Sequence, residues 1–220
     1  MEEQRDMTLK NGTNHYFSEK PKAKPRFGLI QTCIRGKTFK FLTASGVFSK
    51  KRVDLGTRLL IKSMILPESG LVLDIGCGYG AIGIAAASFN SKLHVIMVDI
   101  NERAVRLAKR NIELNRVYNA EVRRGNLYEP VKGMFFNCIL SNPPVSAGLA
   151  TVKAIITGAP EHLTEGGTLQ IVLKSKIGGK RLQQIFQETF GNCTILARES
   201  GYRVLMAEKP RKNLGLNTRH

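Results

Sequence analysis

The 220-residue sequence has no apolar run approaching the roughly 20 residues that a membrane-spanning helix requires. Met1 to Asn14 are polar and of mixed charge, so the start does not read as a secretory signal. Cysteine is sparse and scattered. Cys33, Cys77, Cys138 and Cys193 form no C-x-x-C pair. Free, buried thiols in a reducing cytoplasm are the expectation. His15, His94, His162 and His220 make no ligand pattern, and no structural metal is expected. Internal repeats and low-complexity tracts are also lacking. The last shortage is acid: 17 Asp and Glu face 34 Lys and Arg, a net charge of +17. That balance favours a polyanionic partner, nucleic acid first, through steering and counterion release. A generally basic surface serving solubility is the plainer alternative.

What is present is a chain long enough for one domain with an appendage. Residues 1–25, rich in Lys, Glu and Pro, read as a mobile start with one apolar patch at His15-Tyr16-Phe17. A β-hairpin is expected from Ile30–Ile34 and Lys37–Phe41, with Gly36 in the turn and Phe39 and Phe41 on one face. A loop over Ala44–Ser49 and a helix from about Asp54 to Ile65 follow, with Leu55, Leu59 and Lys62 or Ser63 on successive turns.

From Leu71 onward strands and helices alternate. Strands are expected at Leu71–Ile75, Leu93–Val98, Ala120–Arg124, Phe135–Leu140 and Thr168–Leu173. Helices are expected at Ala81–Phe89, Glu102–Asn115, Leu149–Leu163 and Lys180–Phe190, with Gly166-Gly167 as a connection after the third. Cys193–Ala197 and Val204–Met206 are too close for a crossover helix, so they form a hairpin with an antiparallel last strand. The domain spans 26–209, and 210–220 form a basic tail.

The stretch Leu71-Val72-Leu73-Asp74-Ile75-Gly76-Cys77-Gly78-Tyr79-Gly80 reads as a buried strand, a carboxylate and a glycine turn opening a helix. Glycines there let a ligand touch the backbone and the N–H groups of the helix start. Gly78-x-Gly80-x-x-Gly83 matches the dinucleotide fingerprint, which alone is weak. Asp74 argues against a pyrophosphate, because like charges repel at short range. It suits a ligand that carries cations and no phosphate, such as S-adenosylmethionine. A nicotinamide-dependent oxidoreductase is disfavoured by Asp74 and by the terminal hairpin.

Ligands of open α/β sheets bind beyond the carboxyl ends of the strands. There the second strand carries Asp99 and Ile100, with Asp99 able to accept two ribose hydroxyls or to cap the next helix; Asn101 could supply the cap instead. The third is followed by Gly125-Asn126-Leu127, where Asn126 either accepts an adenine amino group or simply forms a turn. The fourth ends in Ser141-Asn142-Pro143-Pro144. Two prolines lock that backbone and remove two donors. The Asn142 side-chain oxygen and the Pro143 carbonyl then form a fixed pair of acceptors for the two N–H groups of a planar exocyclic amine. Catalysis would be positioning plus electrostatics, with no protein nucleophile.

Asp74-x-Gly76-x-Gly78-x-Gly80, Asp99 and Asn142-Pro143-Pro144 together resemble the amino-methylating branch of class I S-adenosylmethionine-dependent methyltransferases. Gly46-Val47-Phe48-Ser49 followed by Asp54-x-Gly56-Thr57-x-Leu59-Leu60 resembles the catalytic half of the family that methylates guanine N2 in small-subunit ribosomal RNA. The resemblance runs from about His15 to Lys209. It implies a seven-stranded Rossmann-like methyltransferase sheet, mostly parallel with an antiparallel last strand, plus an N-terminal hairpin and helix. It implies S-adenosyl-L-methionine as cofactor, held by Phe48, Asp74, Gly76, Gly78, Gly80, Asp99, Ile100, Asn126, Leu127 and Asn142. It places catalysis at Asn142, Pro143 and Pro144, and it makes ribosomal RNA or a ribosomal subunit the partner. Many relatives carry an aromatic residue after Asn-Pro-Pro to stack on the base. This chain has Val145, leaving Phe48, Tyr79 or Tyr128 for that role. Two other readings share these motifs: methylation of a protein glutamine amide, and an RNA-binding or assembly factor that does no chemistry.

Overall fold

A computed structural model describes residues 26–47, 52–143, 148–176 and 179–211. The expected mobile start, Phe48, Pro144, Val145 and the tail beyond residue 211 lie outside these residues.

The fold follows from two unbroken apolar runs. These runs, β3 (Gly70–Ile75) and β4 (Leu93–Asp99), pair in parallel, and alternate side chains feed opposite faces of the sheet. Val72, Val95 and Met97 join one core; Leu73, Ile75, Ile96 and Val98 join the other. A strand buried on both faces needs helices on both. The first face is covered by α1 (Leu55–Ser63), α2 (Ala81–Phe89) and α3 (Glu102–Leu114), the second by α4 (Gly148–His162) and α5 (Gly179–Phe190). With β5 (Ala120–Arg124), β6 (Phe136–Ser141), β7 (Leu163–Lys174), β8 (Thr194–Glu199) and β9 (Tyr202–Glu208), the seven-stranded sheet has the order β5-β4-β3-β6-β7-β9-β8. All pairs up to β6–β7 are parallel, and β9 runs antiparallel to both neighbours. This is the methyltransferase sheet expected from the sequence.

A separate hairpin, β1 (Phe27–Ile34) and β2 (Lys37–Ala44), leans on α3. Its attachment is polar and specific. The side-chain amide of Asn111 accepts from Leu42 N at 2.7 Å and donates to Leu42 O at 3.0 Å. Asn115, one turn later, does the same to Lys40 at 3.0 and 2.7 Å. Two asparagines thus satisfy a free strand edge as a third strand would.

Several expectations need correction. β7 begins at Leu163, so Gly166-Gly167 lies within a strand. Gly166 N and Lys209 O, and Lys209 N and Gly167 O, bond across to the chain end, which extends the ladder through the glycines. Helix α1 is shorter than expected, because Asp54 caps it from outside and it stops at Ser63. Its buried face is Gly56, Thr57, Leu59, Leu60 and Ile61, while Leu55 and Lys62 are exposed. Cys33 is exposed rather than buried and Cys193 only half-buried. A short 3-10 turn over Glu129–Val131 has no counterpart in the sequence reading.

Candidate active site

Three turns converge beyond the carboxyl ends of β3, β4 and β6. The first is the glycine turn. Gly76, Gly78 and Gly80 have φ of 69°, 58° and 92°, a region that favours glycine. A Cβ on Gly76 or Gly78 would meet no atom within 4 Å. Those positions therefore face open space, as a backbone cradle for a ligand must. Gly80 caps α2 but has no side chain to accept from the helix. Asp74 does so from the strand: its Oδ2 accepts from Gly83 N at 2.9 Å. Gly83 itself is a packing residue, since a Cβ there would sit 2.4 Å from Met97.

Asp74 is buried, and its Oδ1 has no hydrogen-bond partner. Burial pushes its carboxyl up to about 7; the Gly83 N–H opposes that shift and the charge of Asp99 adds to it. A buried, half-satisfied carboxylate of this kind is relieved by a cation or a hydrogen-bond donor.

The second turn follows β4. Asp99 does not cap α3; Asn101 does, accepting from Arg103 N at 2.9 Å and Ala104 N at 3.4 Å. Asp99 ties two loops together. Its Oδ2 accepts from Gly78 N at 2.8 Å and its Oδ1 from Asn101 N at 2.8 Å. Burial raises its pKa, and these two N–H groups work against that rise. Gly125 N donates to Asp99 O at 3.1 Å, which brings the end of β5 alongside. Beyond it, Asn126 is exposed and its carbonyl accepts from Glu129 N, so its backbone serves the turn; Leu127 has φ 46° and packs partly into the core. Ile100 is half-buried between Asp99 and Asn101.

The third turn follows β6. Ser141 Oγ donates to Ile75 O at 2.8 Å and holds the strand end against the glycine turn. Asn142 is half-buried and Pro143 buried. The Asn142 Nδ2 donates to Thr57 Oγ1 at 2.8 Å and to Asp54 Oδ2 at 3.2 Å. A carboxylate can only accept, so the amide nitrogen must face it. Both N–H groups are thus engaged by the first turn of α1, and Oδ1 is turned the other way.

Asp54, Thr57 and Tyr202 complete the surroundings of Asn142, a role that the sequence does not assign to them. Asp54 Oδ2 also accepts from Gly56 N and Thr57 N, and its Oδ1 accepts from Tyr202 Oη at 3.4 Å. A Cβ on Gly56 would lie 2.8 Å from the Tyr202 ring, so glycine admits that ring to the cap. Asp54 before Gly56-Thr57 is legible as a helix cap. Nothing local to Tyr202 signals its partner.

Two aromatic groups considered for base stacking are engaged elsewhere. Tyr79 is buried, 5.5 Å from the Phe41 ring. Tyr128 stacks on His162 at 4.5 Å, with its hydroxyl donating to Ile155 O at 2.7 Å. Outside α1, a cleft of ≈ 450 Å³ is lined by Leu29, Thr32, Arg52, Leu55 and Arg58.

The residues present fit S-adenosylmethionine. There is one buried carboxylate, Asp74, with a free oxygen, a half-buried one, Asp99, and glycines at 76 and 78 that face open space.

Comparison with known proteins agrees with this geometry. The chain is 40% identical to YbxB of Bacillus subtilis over 199 residues, covering 90% of this chain and 99% of that protein. It is 34% identical to the ribosomal RNA small subunit methyltransferase C of Erwinia tasmaniensis over 173 residues, 77% of this chain and 49% of that protein. Against that enzyme from Salmonella typhi identity is 33%, covering 94% of this chain and 61% of the relative. The chain thus spans about half to three fifths of the methyltransferase C proteins it matches. Among solved structures, the T. thermophilus 16S rRNA N2 G1207 methyltransferase (RsmC) in complex with AdoMet and guanosine superposes with a TM-score of 0.74. That match has 26% identity and covers 83% of this chain and 50% of that one. The methyltransferase small domain profile matches residues 38–206, and the chain belongs to the methyltransferase small domain family.

Proposed function

We propose that this chain uses S-adenosylmethionine to methylate an exocyclic amine of an RNA base, guanine N2 in small-subunit ribosomal RNA. The observation that carries the reading is the fixed Asn142 amide: its nitrogen faces Thr57 and Asp54, and its oxygen is left for a substrate N–H. Guanine N2 has two N–H groups. Asn142 Oδ1 accepts one and the Pro143 carbonyl the other. Paired with two acceptors, the amine is held in place and its lone pair is drawn out of conjugation with the ring. No side chain attacks, and the surplus proton leaves to water.

S-adenosylmethionine, when bound, supplies an electrophilic methyl group on a sulfonium. Asp74 Oδ1 supplies negative charge beside the glycine turn, and Asp99 supplies its remaining acceptor capacity to ribose hydroxyls. Gly76, Gly78 and Gly80 let the backbone approach. Ile100, Leu127 and Asn126 flank the adenine side of the cradle. Positioning and electrostatics of this kind account for catalysis without a nucleophile.

The test is methyl transfer with labelled cofactor to a lysate of cells deleted for the gene, followed by ribonuclease or protease digestion. Label released by ribonuclease alone is the expected result. Label released by protease assigns the same acceptor pair to a glutamine amide instead.

A further inference from the structure

At the end of the molecule opposite the glycine turn, the start of β2, the end of α2 and the α3–β5 connection surround a cleft of ≈ 600 Å³. Lys37, Ser88, Arg116 and Tyr118 are among its lining residues. Helices α2 and α3 both start at the catalytic edge and end here. At 1.5 Å per residue the cleft therefore lies roughly 13–20 Å from the active site.

Two arginines at this end occupy backbone positions that favour other residues. Arg35 and Gly36, with φ of 49° and 75°, form the two-residue turn of the β1–β2 hairpin. Asn-Gly is the favoured pair in such a turn. Arg116 has φ 53° just beyond α3. Its N–H donates to Glu113 O and the next, of Val117, to Ile112 O, both at 3.0 Å. That paired closure normally uses glycine. A left-handed arginine carries a backbone penalty that glycine or asparagine would avoid. Strain of this kind persists where the side chain serves something other than the fold.

The side chains point to what that is. The Arg35 guanidinium lies 4.7 Å from the centroid of Phe89, and the Lys37 ammonium 5.9 Å from it. Lys37 also donates to Ser88 O at the end of α2. Among the described residues, no carboxylate is ion-paired with Arg35, Lys37 or Arg116. Tyr118 is 91% exposed. The loop that carries Arg116 and Tyr118 is nonetheless braced at both ends. Asn115 bonds Lys40 N and O, and the Asn119 amide donates to Ala87 O, Asn90 O and Leu93 O at 3.1, 3.3 and 2.8 Å. A rigid loop presenting a cation and a bare aromatic ring beside a basic cleft matches how proteins hold single-stranded RNA.

We propose that this cleft is a second RNA-docking site, with the phosphate backbone held by Arg35, Lys37 and Arg116 and an unpaired base stacked on Tyr118. The proposal rests on the reading of the chain as an RNA methyltransferase. It adds that the substrate is a folded RNA long enough to reach both ends of the domain.

The test exploits the strain. Arg35→Asn with Arg116→Gly removes two cations while giving each backbone position the residue it favours, so the variant should melt at the wild-type temperature or above. Binding is measured to deproteinised small-subunit ribosomal RNA across a salt series. The double variant should bind about tenfold more weakly near 0.1 M salt, with a log–log salt slope shallower by roughly 1.5–2. Tyr118→Ala should weaken binding without changing the slope. Affinity for S-adenosylmethionine should not move in either variant. Wild-type RNA binding with unchanged affinity and slope in the double variant overturns the docking site alone. A wild-type protein that binds no RNA overturns the docking site and the functional reading together.

Discussion

Asn142 has two N–H groups and one acceptor oxygen, and the fold engages both N–H groups internally. On the proposed function, Thr57 is a positioning residue. Thr57→Val keeps the side-chain shape but leaves one amide hydrogen without its acceptor, a loss of about 1–3 kcal/mol where the site is closed to water. Turnover should fall roughly tenfold while the dissociation constant for S-adenosylmethionine stays put, and Thr57→Ser should restore it. A loss that Thr57→Ser does not restore would assign Thr57 to helix packing. Asn142→Ala removes the acceptor itself. Single-turnover methyl transfer should drop ~10²-fold or more, as for loss of one oxyanion-type donor, with RNA affinity unchanged. Asp99→Ala should lower cofactor affinity about tenfold, by the charge-assisted bonds lost. It should also lower the melting temperature, because Gly78 N and Asn101 N both donate to that carboxylate. Asp74, the glycines, Asp99 and Asn142 are legible in the sequence because each sits at a strand end. The partners of Asn142 are not, since Asp54 lies 88 residues away and Tyr202 lies 148 residues from Asp54.

At the scale of elements, α3 links the hairpin to the glycine turn through one residue. Asn111 is buried, clamps Leu42 on β2 and donates to Tyr79 O between Gly78 and Gly80 at 2.8 Å. Asn111→Ala orphans Leu42 N, Leu42 O and Tyr79 O. It should destabilise the protein by roughly 2–4 kcal/mol, a fall of several degrees in melting temperature. Thermal melting checks this, and an unchanged midpoint would mean that water replaces the amide. Periodicity located the strands and helices because their burial alternates by two or clusters by turns. It placed the start of β7 too late, since Gly166-Gly167 reads as a break until the pairing with Lys209 is seen. It also overruns α1 at both ends, because periodicity does not register that Asp54 caps from outside and that the helix stops at Ser63.

For the whole molecule, the carboxylates at the carboxyl ends of β3 and β4 predict a pH signature. Asp74 titrates near 7 in the folded protein, well above an unfolded aspartate near 4. The folded state therefore holds a proton that the unfolded chain has released. The stability contributed by Asp74 is complete below about pH 4 and is lost as pH rises to about 7. Without cofactor, the melting temperature of wild type relative to Asp74→Asn should fall across that window, and parallel curves would show that Asp74 is ionised throughout. Cofactor affinity should rise with pH toward 7 in wild type and stay flat in Asp74→Asn, because a cation favours the ionised form. The most direct test of the account is the identity of the product. RNA from cells lacking the gene is methylated in vitro by the purified protein and digested to nucleosides, and the new nucleoside is identified by mass spectrometry. The account predicts N2-methylguanosine in small-subunit ribosomal RNA, formed ~10²-fold or more slowly by Asn142→Ala. A methyl group on a ribose hydroxyl, on a ring carbon or on protein would contradict it.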